Sequence, residues 1–231
     1  MTKENTLFLI IGLLAGLIVG FFFANSVNQS AVRPAPAGMP QSATLPEGHP
    51  SIPGANGSGA IPEVQAAIEK AKQNPTDFDA QLKAAELYYQ IQRFDGAIEF
   101  LKKANELQPD NYVVLVNLGN ANFDAGKHEE AEKSYVKALI KKPEDVDVRT
   151  DLGLTFIFRE KPDFDRAIQE FKRALDTNPN HAQALQNLTV AYTKKSDSTN
   201  AVATLARLEK LDTANPAIAK LREDIQKLEV K

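Results

Sequence analysis

The stretch that decides the fold runs from Tyr112 to Pro143 and reads YVVLVNLGNANFDAGKHEEAEKSYVKALIKKP. Its apolar residues recur three and four apart, the spacing of a helix that buries one face. Strand alternation is absent. The same holds from Pro62 onward, where Ala, Leu, Glu, Lys and Gln dominate and favour helix. The stretch ends on a proline that belongs to a series. Pro75, Pro109, Pro143 and Pro179 are spaced 34, 34 and 36 residues apart. Each ends one helix and precedes the next, where the missing N–H costs little. Fixed-period self-similarity of this length signals a helical repeat array. Aligned on the prolines, the units begin at Phe78, Tyr112, Val146 and Ala182.

The unit starting at Tyr112 resembles a tetratricopeptide repeat through Leu115, Leu118, Gly119, Gly126, Ala131, Tyr135, Ala138 and Pro143. The unit before it matches through Ala85, Tyr88, Phe94, Ala97, Leu101, Ala104 and Pro109. The third matches through Leu152, Gly153, Phe156, Phe164, Ala167, Phe171, Ala174 and Pro179, with a two-residue insertion near Lys161-Pro162 that lengthens its inter-helix turn. The fourth keeps Leu185, Leu188, Tyr192, Ala201, Leu205 and Leu208. It has Thr189 where Gly or Ala is usual and Thr213 where proline is expected. Small residues such as Gly119, Ala131 and Ala138 let two helices approach, and large ones such as Leu118 and Tyr135 fill the space between units. A lone helix pair cannot bury its apolar face, so the units must stack.

The predicted architecture is all-α. Residues 61–77 form a leading helix, and 78–215 form four units (78–111, 112–145, 146–181 and 182–215). Residues 216–231 form a capping helix whose apolar stripe is Ile218, Leu221, Ile225 and Leu228. The resemblance implies a right-handed superhelix of the α-solenoid kind.

Ahead of this lie three further zones. Residues 1–5 are a short polar tail. Leu7 to Ala24 is an uncharged apolar run of 18 residues, roughly 27 Å long as a helix and close to the hydrocarbon thickness of a bilayer. With its flanks it predicts a transmembrane anchor over 6–27. A cleaved signal peptide fits poorly, because a cut after Ala24 or Ala31 would put Phe22 or Gln29 where a small residue is needed. Gly12, Gly16 and Gly20 share one face of that run. Such a stripe permits weak self-association in a membrane, although glycine is also simply common in spans. Residues 28–60 form a linker with Pro34, Pro36, Pro40, Pro46, Pro50 and Pro53 among Ala, Gly and Ser. It has too little apolar content to fold. It serves either to hold the array off the membrane or as a spacer of no specific use. Lys3 and the free amine on one side against Arg33 on the other nearly balance the charge rule, leaning to N-terminus in.

Composition narrows the chemistry. The chain has 231 residues, a net charge of -3 and no cysteine. The charge argues against nucleic acid as the main partner. The missing thiols exclude disulfides, thiolate catalysis and cysteine-bound zinc. His49 lies in the linker, His128 takes a position that is aromatic in the repeat pattern, and His181 sits at a turn. None has a second ligand at metal spacing. Asp163 and Asp165 flank Phe164 beside Pro162, a pattern that helix capping explains better than calcium binding. Asn187-Leu188-Thr189 matches a glycosylation acceptor but falls within a predicted helix. No catalytic residue, cofactor or metal is predicted, and an enzyme is not expected.

The resemblance implies that the first helix of each unit lines a concave groove. The residues it points to include Tyr89, Val116, Asn117, Asn120, Phe123, Asp151, Leu154, Ile157, Phe158, Gln186 and Asn187. The asparagines suit a peptide backbone. Val116, Phe123, Leu154, Ile157 and Phe158 suit apolar anchors. Asp79, Glu86, Asp124, Asp147 and Asp151 make the groove acidic. The family's clamp for C-terminal carboxylates uses Lys or Arg where Leu82, Glu86, Asp147 and Asp151 stand here. The expected ligand is therefore a protein or peptide with an apolar or basic-amphipathic segment. The architecture resembles bacterial inner-membrane proteins that display repeats in the periplasm, such as cytochrome c maturation factors. The predicted role is a membrane-tethered scaffold or assembly chaperone. The alternative is a constitutive structural subunit of a membrane complex.

Overall fold

The computed structural model describes residues 62–229. The expected tail, anchor and linker lie outside the described residues. Among the described residues no helix is long and apolar enough to cross a membrane. Every regular element among the described residues is a helix. The leading helix α1 spans Pro62–Gln73. Four pairs follow: α2 (Phe78–Gln90) with α3 (Phe94–Leu107), α4 (Tyr112–Asp124) with α5 (His128–Lys141), α6 (Val146–Phe158) with α7 (Phe164–Thr177), and α8 (Ala182–Lys194) with α9 (Ser198–Leu211). The last helix, α10, spans Ile218–Glu229. Residues 71–229 fall in one compact unit. Within it each helix packs on the next, α6 also meets α8, and α10 packs on both α9 and α8. Ile218, Leu221 and Ile225 of α10 join the continuous core, so the last pair is covered as the sequence predicts.

The proline series marks one recurring turn. In each, a backbone N–H reaches the carbonyl three residues earlier: Asp77 to Asn74, Asn111 to Gln108, Asp145 to Lys142 and His181 to Asn178. Proline stands second in all four, where its fixed φ suits a type I turn. The donors are also N-caps. Asp77, Asn111, Asp145 and His181 each accept from the backbone N–H three residues on, filling one of the orphan donors of a helix start. Asn215 N–H bonds Asp212 carbonyl in the same way, with Thr213 in the proline's place. The turn therefore survives loss of the proline, because its hydrogen bond and the residues around it remain. Asp163 likewise caps α7, as its position suggests.

Within a pair, the turn between helices closes by a second repeated bond. Arg93, Lys127 and Asp197 donate to the carbonyls of Tyr88, Asn122 and Tyr192, five residues back. Gln92, Gly126 and Ser196 take positive φ there, at 58°, 74° and 60°. In the third unit Asp163 donates to Phe156 at 2.8 Å, seven residues back. The two extra residues loop out without changing what the turn joins. The longer turn is held by Arg159 and Arg166. Both pair with Glu132 of the preceding unit, at 2.6 and 2.7 Å, and both lie over the Phe156 ring.

Close approach of paired helices rests on a small residue facing a large one. A Cβ added to Gly119 would lie 2.3 Å from the Tyr135 ring, and one added to Gly153 would lie 2.4 Å from the Phe171 ring. Tyr135 and Phe171 are fully enclosed, at 1% and 0% exposure. The equivalent positions in the outer units carry Ala85 with Leu101 and Thr189 with Leu205, all buried. The departure at Thr189 is thus matched by a smaller partner, and its hydroxyl donates to the Leu185 carbonyl at 2.8 Å.

Gly119→Ala should destabilise the array by about 1–3 kcal/mol through overpacking, read as a lower urea midpoint. Adding Tyr135→Phe should not restore that loss, because the ring carbons that the new Cβ meets remain. Gln92→Gly should stabilise by about 0.5–1 kcal/mol, since glycine enters the left-handed region without steric cost.

Candidate functional site

The first helices of the pairs, α2, α4, α6 and α8, carry the predicted groove residues. The structure sorts them by burial. Tyr89, Asn117, Asn120 and Asn187 are buried, whereas Val116, Phe123, Asp151, Leu154, Ile157, Phe158 and Gln186 are half-buried. Val116, Phe123, Leu154 and Ile157 rest on the core with part of their surface open. Phe123 and Phe158 meet edge to face with ring centroids 5.7 Å apart, and His128 packs against both rings. His128 thus takes the packing role predicted for it. Burial lowers its pKa, which keeps the imidazole neutral in this apolar setting.

Two predicted residues are already engaged inside the protein. The Tyr89 hydroxyl donates to Asp124, and the Asn120 side-chain carbonyl accepts from Tyr135 at 2.8 Å. The expectation that Asn120 offers a free acceptor is corrected by that bond, which ties α4 to α5 across the close contact at Gly119. Asn117 is different. It is 6% exposed, and its side chain has no hydrogen bond within the described residues. Asn187 is also 6% exposed. Its carbonyl accepts from Gln183 at 3.0 Å, but its buried Nδ2 has no partner. That burial inside α8 also removes the glycosylation match from reach.

Acids and phenols gather around the same face. Burial, then the Asp124 charge, pushes the Tyr89 hydroxyl far above its ordinary range, so it remains a donor. Burial raises the Asp124 carboxyl, and the Tyr89 hydroxyl works in the opposite direction. Tyr112 donates to Asp145 and is pushed up by burial and that bond. His181 binds Asp147 through Nε2 at 2.9 Å while its Nδ1 accepts from Ala184 N–H. Burial pushes Asp151 up to about 8, with the charges of Asp147, Asp145 and Asp124 adding to it. Asp151 therefore holds its proton at neutral pH.

The partnerships of Tyr112, Asp145, Tyr135 and His181 were not legible as site features. A signal for three of the bonds does exist. Tyr89–Asp124, Tyr112–Asp145 and His181–Asp147 are separated by 35, 33 and 34 residues, one repeat each. Among the described residues no three His, Cys, Asp or Glu side chains converge to hold a metal ion.

A family model described as tetratricopeptide repeat matches residues 56–114, 92–152 and 158–225. The chain belongs to the tetratricopeptide repeat family. Two curated relatives are peroxisomal targeting signal receptors. That of Candida albicans is 33% identical over 94 residues, covering 41% of this chain and 16% of the relative. That of Komagataella phaffii is 37% identical over 169 residues, covering 54% and 29%. The chain spans less than a third of the length of these curated relatives. Among solved structures, the repeat array resembles the crystal structure of MamA with a TM-score of 0.60 at 24% identity, over 65% of this chain and 86% of that one. It also resembles MamA 41-end from Desulfovibrio magneticus RS-1, with a TM-score of 0.60 at 16% identity, over 66% and 85%. At these identities the likeness carries the fold alone.

Asp151 generates a pH-dependent stability. Its ordinary pKa is about 3.9, and its folded value is about 8. Between those values the folded chain keeps a proton that the unfolded chain has lost, so raising the pH lowers stability. Below pH 4 both states are protonated and the penalty is absent. Asp151→Asn should therefore raise the Tm by about 2–6 °C at pH 8, a range reduced because the carboxyl is partly open to water. At pH 4 the two proteins should melt together.

Proposed function

We propose that the array is a protein-interaction scaffold whose inner helices hold a polypeptide segment. The observation that carries this reading is the mixed character of one face. Half-open apolar side chains at Val116, Phe123, Leu154, Ile157 and Phe158 share it with the amide of Asn117, which has no hydrogen bond among the described residues, and the unpaired Nδ2 of Asn187. Such a surface offers anchors for side chains and hydrogen bonds for a backbone. The curated relatives are named as receptors of a targeting signal, which supports recognition of a polypeptide. The expected segment is apolar or basic-amphipathic, because the acids at Asp124, Asp147 and Asp151 disfavour an anionic one.

The reading extends to a tether. Residues 6–27 carry the longest uncharged apolar run of the sequence, which supports a single-pass membrane protein with the array displayed beyond the linker of residues 28–60. Placement in a bacterial inner membrane with the repeats in the periplasm, in an envelope assembly role such as cytochrome c maturation, is supported by that architecture.

A photo-crosslinking residue placed at Val116 or Gln186 in the full chain should capture partners in intact cells. The same residue at Ile140, which is 73% exposed on the outer helix α5, should capture at least fivefold less. Equal yields from both faces would sink the groove assignment. Asn117→Ala combined with Phe123→Ala should lose the groove adducts. Protease added to spheroplasts should degrade the repeats if they lie in the periplasm and spare them if they face the cytoplasm.

A further inference from the structure

Among the described residues two acids of the groove have no hydrogen bond or ion pair, and of these Asp79 is exposed and Asp151 half-buried. Asp124 accepts from Tyr89, Asp145 from Tyr112 and from Val148 N–H, and Asp147 from His181. Asp151, in the middle of α6, has no hydrogen bond or ion pair. Side-chain amides hold the matching places in the units on either side. Residues 117, 151 and 187 hold the same place in three successive units, each directly before the Leu118, Leu152 and Leu188 of the repeat pattern. Asn117 has no side-chain hydrogen bond. Asn187 is 94% enclosed, given its 6% exposure, and carries an unpaired Nδ2 on a helix that meets α6 directly. An amide without a hydrogen bond, an acid without a partner and an amide with an unpaired Nδ2 thus share one register position on three successive inner helices. The enclosed Nδ2 of Asn187 costs stability unless a ligand supplies its partner.

The surroundings of Asp151 define that ligand. The groups acting on it are acids, namely Asp147, Asp145 and Asp124. The phenols of Tyr89, Tyr112 and Tyr135 feel its charge in turn. From α8 the imidazole of His181 is held by Asp147. The arginines of α6 and α7 are spent elsewhere: Arg149 and Arg173 on Glu170, and Arg159 and Arg166 on Glu132. An anion would be repelled. A metal ion lacks three converging ligands among the described residues. What fits is a single positive charge with several N–H donors, carried on an apolar stem that can lie along the half-open Leu154 and Ile157.

We infer that the groove selects a polypeptide segment bearing a lysine or arginine, whose cationic head pairs with Asp151 while the amides of Asn117 and Asn187 hold the segment's backbone on either side. This rests on the groove reading above and deepens it. Binding is coupled to a proton. Burial holds Asp151 protonated at neutral pH in the empty groove, and an incoming cation favours the carboxylate. One proton therefore leaves Asp151 for solvent as the basic side chain docks. Affinity rises with pH up to about 8 and levels off above it.

The test uses the full chain in detergent micelles and an array of capped twelve-residue peptides built from Leu, Ala, Asn and Gln. Each peptide is made in four forms that differ at one central residue: lysine, arginine, norleucine or glutamate. At pH 8 the lysine and arginine forms should bind at least tenfold more tightly than the norleucine form of the same peptide. That advantage should shrink by up to tenfold per unit as the pH falls to 6. Calorimetry of the best lysine peptide at pH 7, repeated in buffers of different ionisation enthalpy, should show close to one proton released. Asp151→Asn, with folding confirmed by an intact cooperative melt, should bind the lysine and norleucine forms equally. Asp79→Asn, an exposed acid on α2, should keep the preference and so exclude a general charge effect. Equal binding of lysine and norleucine forms by the unaltered protein overturns the cation site and leaves the groove reading standing. Failure of every form to bind overturns both.

Discussion

The contact of a glycine on one helix with an aromatic ring on its partner sets the geometry on which the rest of the array depends. With no Cβ at Gly119 or Gly153, the rings of Tyr135 and Phe171 lie almost against the backbone of α4 and α6. That closeness fixes how deeply the second helix of each pair inserts, and with it the place where the next unit begins. It also lets the Tyr135 hydroxyl reach Asn120 on the opposite helix. The outer units reach the same end with less extreme pairs, Ala85 with Leu101 and Thr189 with Leu205. The tightest contacts therefore lie in the central units, which also carry the unpaired acid and the aromatic pair of Phe123 and Phe158.

The fold was legible because its determinants are local and periodic. Prolines one repeat apart mark turns that close on a three-residue hydrogen bond, and the residue accepting that role also caps the next helix. Even the irregularities were readable. The insertion at Lys161-Pro162 lengthens one turn, and Thr213 replaces a proline whose turn forms without it. The groove was legible only as a set of positions. Which side chains there remain open depends on bonds between units, and these were hidden. Asn117, Asn120 and Asn187 look alike in the sequence, yet Tyr135 satisfies one and leaves the others. The acids look alike too, but Tyr89, Tyr112 and His181 take up Asp124, Asp145 and Asp147 and leave the half-buried Asp151 and the exposed Asp79. Such pairings depend on side-chain reach across stacked helices, which a one-dimensional period does not encode.

The position of the unpaired acid within the array has its own logic. Asparagine at 151, as at 117 and 187, would satisfy the same packing with no charge to bury. The repeat pattern therefore does not require the acid, and its cost has to be met by neighbours. In a stack of units each element is supported only by those beside it. A partly buried carboxyl in the first or last pair would favour fraying there, because one side has no further unit to hold it. Asp151 sits instead on α6, with α5 before it, α7 after it and α8 in contact beyond. The ion pairs from Glu132 to Arg159 and Arg166 add a polar brace at the far end of the same helix. The half-buried, partnerless acid of the groove is thus carried by one of the best-supported helices of the array. That arrangement keeps the acid in a fixed place, which a site for a single positive charge requires.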